Sequence, residues 1–209
     1  STVTGKVENW QPLMKTIRET PGVTGAAPFV QGPVILDYHG VRMARVVRGI
    51  DPELEKEVID LGKFIRFGEM DLSGGSTIIG IDLARNLGAD LGGKIVIYSP
   101  KNIGNVLDAI KRAEEDSKEL ENLKEVFLPE ELPVSGIFET GRYNYDAEFL
   151  IVPLHIGQSL YGLDEDDALH GIAVRTDDPN HASTVRDAIL SRMPEGTTAQ
   201  TWEEMNRNF

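Results

Sequence analysis

The stretch Ser76–Pro100, "STIIGIDLARNLGADLGGKIVIYSP", decides how this chain folds. Its "TIIGI" is a short apolar run closed by glycine, "DLARNLG" has helical character, and "KIVIYS" is β-rich and stops at Pro100. Strand, short helix and strand follow one another, so the question is whether the glycines cradle a phosphate or turn the chain. A dinucleotide fingerprint puts G-x-G-x-x-G in the turn itself, where backbone amides and a helix N-terminus can approach a pyrophosphate. Here Gly80 is followed by Ile81 and Asp82, whose carboxylate is expected to N-cap the helix and would repel a phosphate. No G-x-x-x-x-G-K-[ST] occurs in the chain. Gly88 is expected as a C-cap and Gly92-Gly93 as a turn, which makes the glycines structural.

Working outward, the 209 residues are 40% hydrophobic and 26% charged, enough for one large domain or two small ones with real cores. A net charge of −13 disfavours non-specific attraction to nucleic acid or an anionic membrane surface. Cysteine is absent, which removes disulfides, thiolate nucleophiles and cysteine-based zinc sites. His39, His155, His170 and His181 show no metal-ligand spacing, so neither a metal nor another cofactor is expected. No apolar run reaches the length of a membrane span, and no signal peptide is read. The chain starts at Ser1 without methionine and stops in "TWEEMNRNF", where Trp202, Met205 and Phe209 stand at helical spacing. Both ends read as cut from something longer.

The first segment predicts strand, helix, strand: "STVTGKV", then "ENWQPLMKTIRET" with Trp10, Leu13, Met14 and Ile17 on one face, then "VTGAAPFV". The last segment repeats this order with "LHGIAVRT", a helix "NHASTVRDAILSRM" turning Val185, Ile189 and Met193 inward, and "TTAQTW". The expected fold class is therefore α+β, with split β-α-β units formed by both chain ends and a mixed α/β middle inserted between them. That middle holds a hairpin turned at His39-Gly40, a helical "DPELEKEVIDLGKFI", and a long amphipathic helix from Asn102 to Val126. Ile103, Val106, Ile110, Ala113 and Leu120 line one face of that helix, opposite a charged face. Pro129 and Pro133 force an extended path into the next strand, "EFLIVPL" supplies another, and "HIGQSLYGL" a short helix.

No catalytic constellation stands out. Acids crowd only at Asp164 to Asp167, in a loop without the spaced ligands of a calcium site, and no G-x-S-x-G elbow is present. An enzyme is not expected.

The order and spacing of the motifs resembles the lipoprotein-releasing ABC transporter permeases. The stretches that carry the resemblance are "TPGVTGAAPFVQGPVIL", "VVRGIDPE", "IIGIDLARNLGADLGGKIVIYSP", "VSGIFETGRYNYDAEFLIVPL", "LHGIAVRTDDP" and "TWEEMNRNF", nearly the whole chain. In that family they form the extracytoplasmic domain between the first and second membrane helices, a domain shared with the macrolide-exporter type of permease. The resemblance implies a non-catalytic domain at the periplasmic face of the inner membrane. It also implies a membrane-proximal unit of residues 1–50 and 145–209, and an inserted unit of residues 51–144. ATP would be hydrolysed by a separate cytoplasmic subunit, a second permease chain would pair through membrane helices, and a periplasmic lipoprotein carrier or an adaptor would be the soluble partner. Trp202, Met205 and Phe209 would form the run-in to the second membrane helix.

One departure matters. Relatives often carry a short proline-bearing hairpin after the "SP" segment that hooks the carrier, whereas this chain has a helix-bearing insert, residues 101–132. Phe127, Leu128 and Pro129, near its turn back, are the candidate partner contact; the alternative is that they staple the helix to the sheet. Other readings of the whole are an efflux permease domain docking an adaptor, a regulator of a cell-wall hydrolase, and a soluble hydrolase using the acidic clusters.

Overall fold

Strand β1 (Val23–Tyr38) runs for 16 residues, about 50 Å at the usual rise, and the rest of the molecule is arranged along it. The structure, a computed structural model, describes residues 5–100, 129–201 and 203–204. β1 turns at His39 and Gly40, both at positive φ (50° and 86°), into β2 (Val41–Ile50). Two consecutive left-handed residues twist a two-residue turn to match its strands, so the hairpin lies where the sequence puts it. Gly40 N–H donates to Asp37 at 3.0 Å and closes the turn.

Beyond the hairpin come β3 (Ile65–Gly68), β4 (Thr77–Gly80), β5 (Lys94–Tyr98), β6 (Glu130–Phe138), β7 (Phe149–Pro153) and β8 (Gly171–Thr176). The hydrogen-bonded order is β2-β7-β4-β6-β5-β1-β8, with β3 on β6, and β1 also pairs with β2. The path thus returns to its start: β1, β2, β7, β4, β6 and β5 pair in a closed ring. β2–β7 and β4–β6 are parallel and the other pairs antiparallel.

The stretch that opened the sequence reading supplies the core. β4 and β5 flank α3 (Ile81–Leu87), whose Ile81, Leu83, Ala84 and Leu87 pack with Ile79, Ile95, Ile97 and Leu150. Gly88, at φ 70°, ends the helix as expected, its N–H reaching Ala84 and Arg85 carbonyls. Asp82 does not N-cap. The cap position is Gly80, two residues before Asp82, and Asp82 sits in the first turn paired to Arg85 at 2.9 Å. The physical reason is steric: a Cβ on Gly80 would lie 2.1 Å from the Asp146 carbonyl oxygen, so only glycine lets strand and helix meet there.

Other expectations are corrected. Of "STVTGKV", the described residues 5–7 contribute a bridge of Val7 with Leu169, and no strand forms over "TTAQT" among the described residues. The helix expected over "DPELEKEVIDLGKFI" stops after α2 (Pro52–Glu55), which Asp51 N-caps at 3.0 and 3.1 Å, and continues only as a 3-10 turn, Leu61–Phe64. Helix α4 (Tyr143–Glu148) and strand β3 went unanticipated. Helix α5 (Leu154–Tyr161) lies against β2 because Gly49 and Gly157 face each other; a Cβ on either would come 3.0 Å from the other's Cα. Residues 101–128, with the long helix expected there, lie outside the described residues.

Candidate functional site

Both chain ends are built onto the part of β1 that extends past the ring. Helix α1 (Trp10–Arg18) buries Met14 and Ile17, and helix α6 (Ala182–Leu190) buries Val185 and Ile189, into one cluster with Ala26 of β1. Trp10, Ile172, Val174 and Met193 pack around it, which is the inward face the sequence predicts for both helices. Each aliphatic side chain so buried contributes about 1.5–3 kcal/mol.

The incoming segment is strapped down by polar contacts. Val7 and Leu169 exchange backbone hydrogen bonds at 2.8 and 2.9 Å, and Lys6 pairs with Asp166. Asp167 accepts from Gln11 at 2.8 Å and from the buried Gln158 at 2.9 Å. Asp166 and Asp167 of the acidic loop therefore hold the N-terminal segment, and no metal-ligating group forms among the described residues.

The outgoing segment ends in a second polar device. Thr201 N–H donates to Glu204 Oε2 at 2.8 Å while Glu204 N–H reaches Thr201 Oγ1 at 3.3 Å, a reciprocal capping box at the start of a helical turn that includes Glu203 and Glu204. Arg186 of α6 pairs with Glu204 and, at 2.7 Å, with its neighbour Asp187. The Arg186 guanidinium, aided by the Thr201 amide, holds the Glu204 carboxyl at about 2. The sequence reading missed this box, although T-x-x-E preceding an apolar-periodic stretch is its signature.

Two side chains complete β1 where no strand does. On the edge that pairs with β8 as far as Phe29 and with β5 from Ile35, no strand among the described residues covers the interval. His170 Nδ1 lies 3.1 Å from Gln31 N and 3.0 Å from Gln31 O, and the Tyr161 hydroxyl donates to Pro33 O at 2.7 Å. His170 and Tyr161 also meet edge to face, with centroids 4.9 Å apart. Of the other histidines, His39 forms the hairpin turn, His155 lies on α5 and His181 pairs with Asp178 at 3.0 Å, so no two serve one site.

The most buried ion pair joins the ring to α2. Arg48 of β2 donates to Glu55 at 3.2 Å and to Gln31 Oε1 at 3.0 Å, with its guanidinium carbon 4.4 Å from the Phe29 ring centroid. Glu55 is only 2% exposed. Burial pushes its carboxyl up and Arg48 pulls it back, the first effect being the larger. Its Oε2 has no hydrogen-bond partner among the described residues. Asp146, also buried, is fully engaged: it accepts from Thr140 N and Oγ1 and from Gly141 N at 2.9, 2.7 and 3.0 Å, tying the "ETGRYNYD" loop. Among the described residues, Asp146 is thus taken up in structural contacts, and Glu55 in its pairing with Arg48.

Of the sequence-predicted contact residues, Pro129 is half-buried immediately before β6. Phe127, Leu128, Trp202, Met205 and Phe209 lie outside the described residues. No helix among the described residues is long and apolar enough to cross a membrane.

Comparison with known proteins places this architecture. Residues 4–192 match the MacB-like periplasmic core domain family. The chain is 26% identical over 205 residues to the lipoprotein-releasing system transmembrane protein LolC of Neisseria meningitidis serogroup B, covering 96% of this chain and 45% of that protein. It is 20% identical over 199 residues to the corresponding LolE protein of Haemophilus influenzae, covering 94% of this chain and 43% of that one. The chain thus spans less than half the length of these curated relatives. Among solved structures, the extracellular domain of the ABC-type transporter YknZ from Gram-positive bacteria superposes with a TM-score of 0.56 at 13% identity, covering 91% of this chain and 85% of that one. The periplasmic region of MacB from Actinobacillus actinomycetemcomitans gives 0.51 at 10% identity, covering 89% and 72%. The fold is shared across these domains, the sequence similarity runs to LolC and LolE, and the chain belongs to the MacB-like periplasmic core domain family.

Proposed function

We propose that this domain couples ATP-driven movement of flanking membrane helices to the release of lipoproteins toward a periplasmic carrier. The observation that carries the reading is the kinship to LolC along 96% of the chain. A cytoplasmic ATPase subunit would supply the energy and a second permease chain would complete the assembly. The work of the domain is then mechanical: it converts a displacement at its two ends into a change at its far surface.

The division of labour follows the same lines. Residues 1–50 and 145–209 would form the membrane-proximal unit and residues 51–144 the inserted one. In support, the cluster of Met14, Ile17, Val185 and Ile189 draws on both chain ends; the core around Ile81, Leu83, Ile95 and Ile97 of the middle is shared with Val34, Leu36, Val47 and Leu150 of the end segments, so the two units would meet along it. Trp202, Met205 and Phe209 would lead into the following membrane helix. Phe127, Leu128 and Pro129 would meet the carrier.

The test is reconstitution of the full-length permease with its ATPase in proteoliposomes loaded with a lipoprotein. ATP-dependent transfer to the carrier is expected with the native chain and lost when residues 102–128 become a short Gly-Ser linker, with the melting temperature retained. Export of a small amphiphile through an adaptor, without lipoprotein transfer, would replace this reading by the efflux one. A collapse of stability on linker replacement would assign the insert to the core.

A further inference from the structure

We propose that Arg186, acting on the Thr201–Glu204 capping box, is the joint that carries movement of the outgoing helix into the domain; this rests on the coupling function proposed above. The device has two parts. The box fixes the first turn of a helix, because Thr201 and Glu204 satisfy each other's backbone amides and so define where extended chain becomes helix. Arg186 then ties that first turn to α6: its side chain is 22% exposed, and its pairing with Glu204 spans the residues between 190 and 201 without using them.

What lies between is built to yield. After Ser191, Arg192 and Met193 close the end of α6, residues 194–201 carry a local turn at Pro194–Thr197 and pair with no strand among the described residues. A segment without ladder hydrogen bonds transmits force poorly, so a displacement arriving at Thr201 would be absorbed there unless a cross-tie bypassed it. Arg186 is placed as that tie. Its neighbours Val185 and Ile189 are locked in the cluster shared with α1 and β1, so a pull on Arg186 moves α6 and the β1 extension together.

The chemistry separates the two parts experimentally. Glu204→Gln keeps a capping-box residue while removing the charge that Arg186 reads, and Arg186→Gln removes the other charge while leaving the box untouched. The full-length permease with its ATPase is compared by hydrogen–deuterium exchange in ADP and in ATP–vanadate. In the native protein, residues 182–190 are expected to change protection between the two states, and the change is expected to be lost in both variants, with ATPase activity and melting temperature retained. Persistence of the change in either variant, or its absence from the native protein, would overturn the joint. If one variant fails to fold, the other decides alone. The cargo assignment is judged separately: a nucleotide-dependent change that both variants abolish, in a transporter that releases no lipoprotein, leaves the joint standing and removes the Lol-type function.

Discussion

The closed ring and the extension built from the chain ends are held by different forces. In the ring, β4 is buried at all four positions and β7 at four of five, so both faces of these strands are covered by apolar side chains. In the extension, β8 has no fully buried residue, and α1 and α6 share a small cluster completed by Lys6–Asp166, Arg18–Glu57 and Arg186–Glu204. Apolar burial is insensitive to salt and pH, whereas half-exposed ion pairs contribute little and are screened. Apolar packing thus dominates in the ring, while the extension combines a smaller apolar cluster with partly exposed ion pairs.

The largest expected effect comes from unpairing Arg48 of the ring, which ties α2 to β2 through Glu55 and holds Gln31 of β1. Arg48→Met leaves a buried carboxylate without its cation and is expected to cost about 3–5 kcal/mol in urea unfolding at neutral pH. The sign of the pH dependence follows from burial. Glu55 already titrates above its ordinary 4.5, so folding holds it protonated more readily than the unfolded chain does, and without Arg48 this bias grows. The variant should lose most stability at neutral pH and recover part of it as the pH falls toward 4.5. A pH-independent loss would show that packing on Phe29, and not charge, is what Arg48 contributes.

A smaller effect compares the two cores directly. Leu150→Ala in the ring, at a fully buried position, is expected to cost about 4 kcal/mol, and Ile189→Ala in the extension, 7% exposed, about 2 kcal/mol, because a site near solvent relaxes around the missing atoms. Equal costs would mean that the extension is packed as tightly as the ring.

The smallest effect is at the outgoing joint. Thr201→Ala removes one half of the capping box and should cost about 0.5–2 kcal/mol of local helix stability, read as faster amide exchange at Glu203 and Glu204 with little change in global melting. The difference in that exchange between native protein and Arg186→Gln should be full above pH 4.5 and vanish as the pH falls through about 2, where the depressed Glu204 carboxyl finally protonates.

Much of this was legible in residues. Two positive-φ positions at His39-Gly40, the αL cap at Gly88 and the inward faces of α1 and α6 follow from local chemistry that neighbours in the chain decide. The helix start at Gly80 and the short α2 were not legible, because the first depends on the approach of the Asp146 carbonyl and the second on the buried pairing of Glu55 with Arg48. Arg186 was invisible as a functional residue, since its partner lies 18 positions away in sequence.

By itself, then, the sequence determined the strand, helix and strand of Ser76–Pro100, the hairpin at His39-Gly40 and the order of motifs that marks the family. All of these depend on side chains within a few residues of one another, where period, cap and turn preferences act. Only the tertiary structure decided that β1 pairs with both β2 and β5 so that six strands close into a ring, that His170 and Tyr161 bond β1 where no strand among the described residues does, and that α1 and α6 share one cluster on β1. Those outcomes rest on hydrogen bonds and contacts between residues far apart in the chain. A backbone N–H carries the same donor at every position, so its partner is chosen by packing and not by the letter it belongs to.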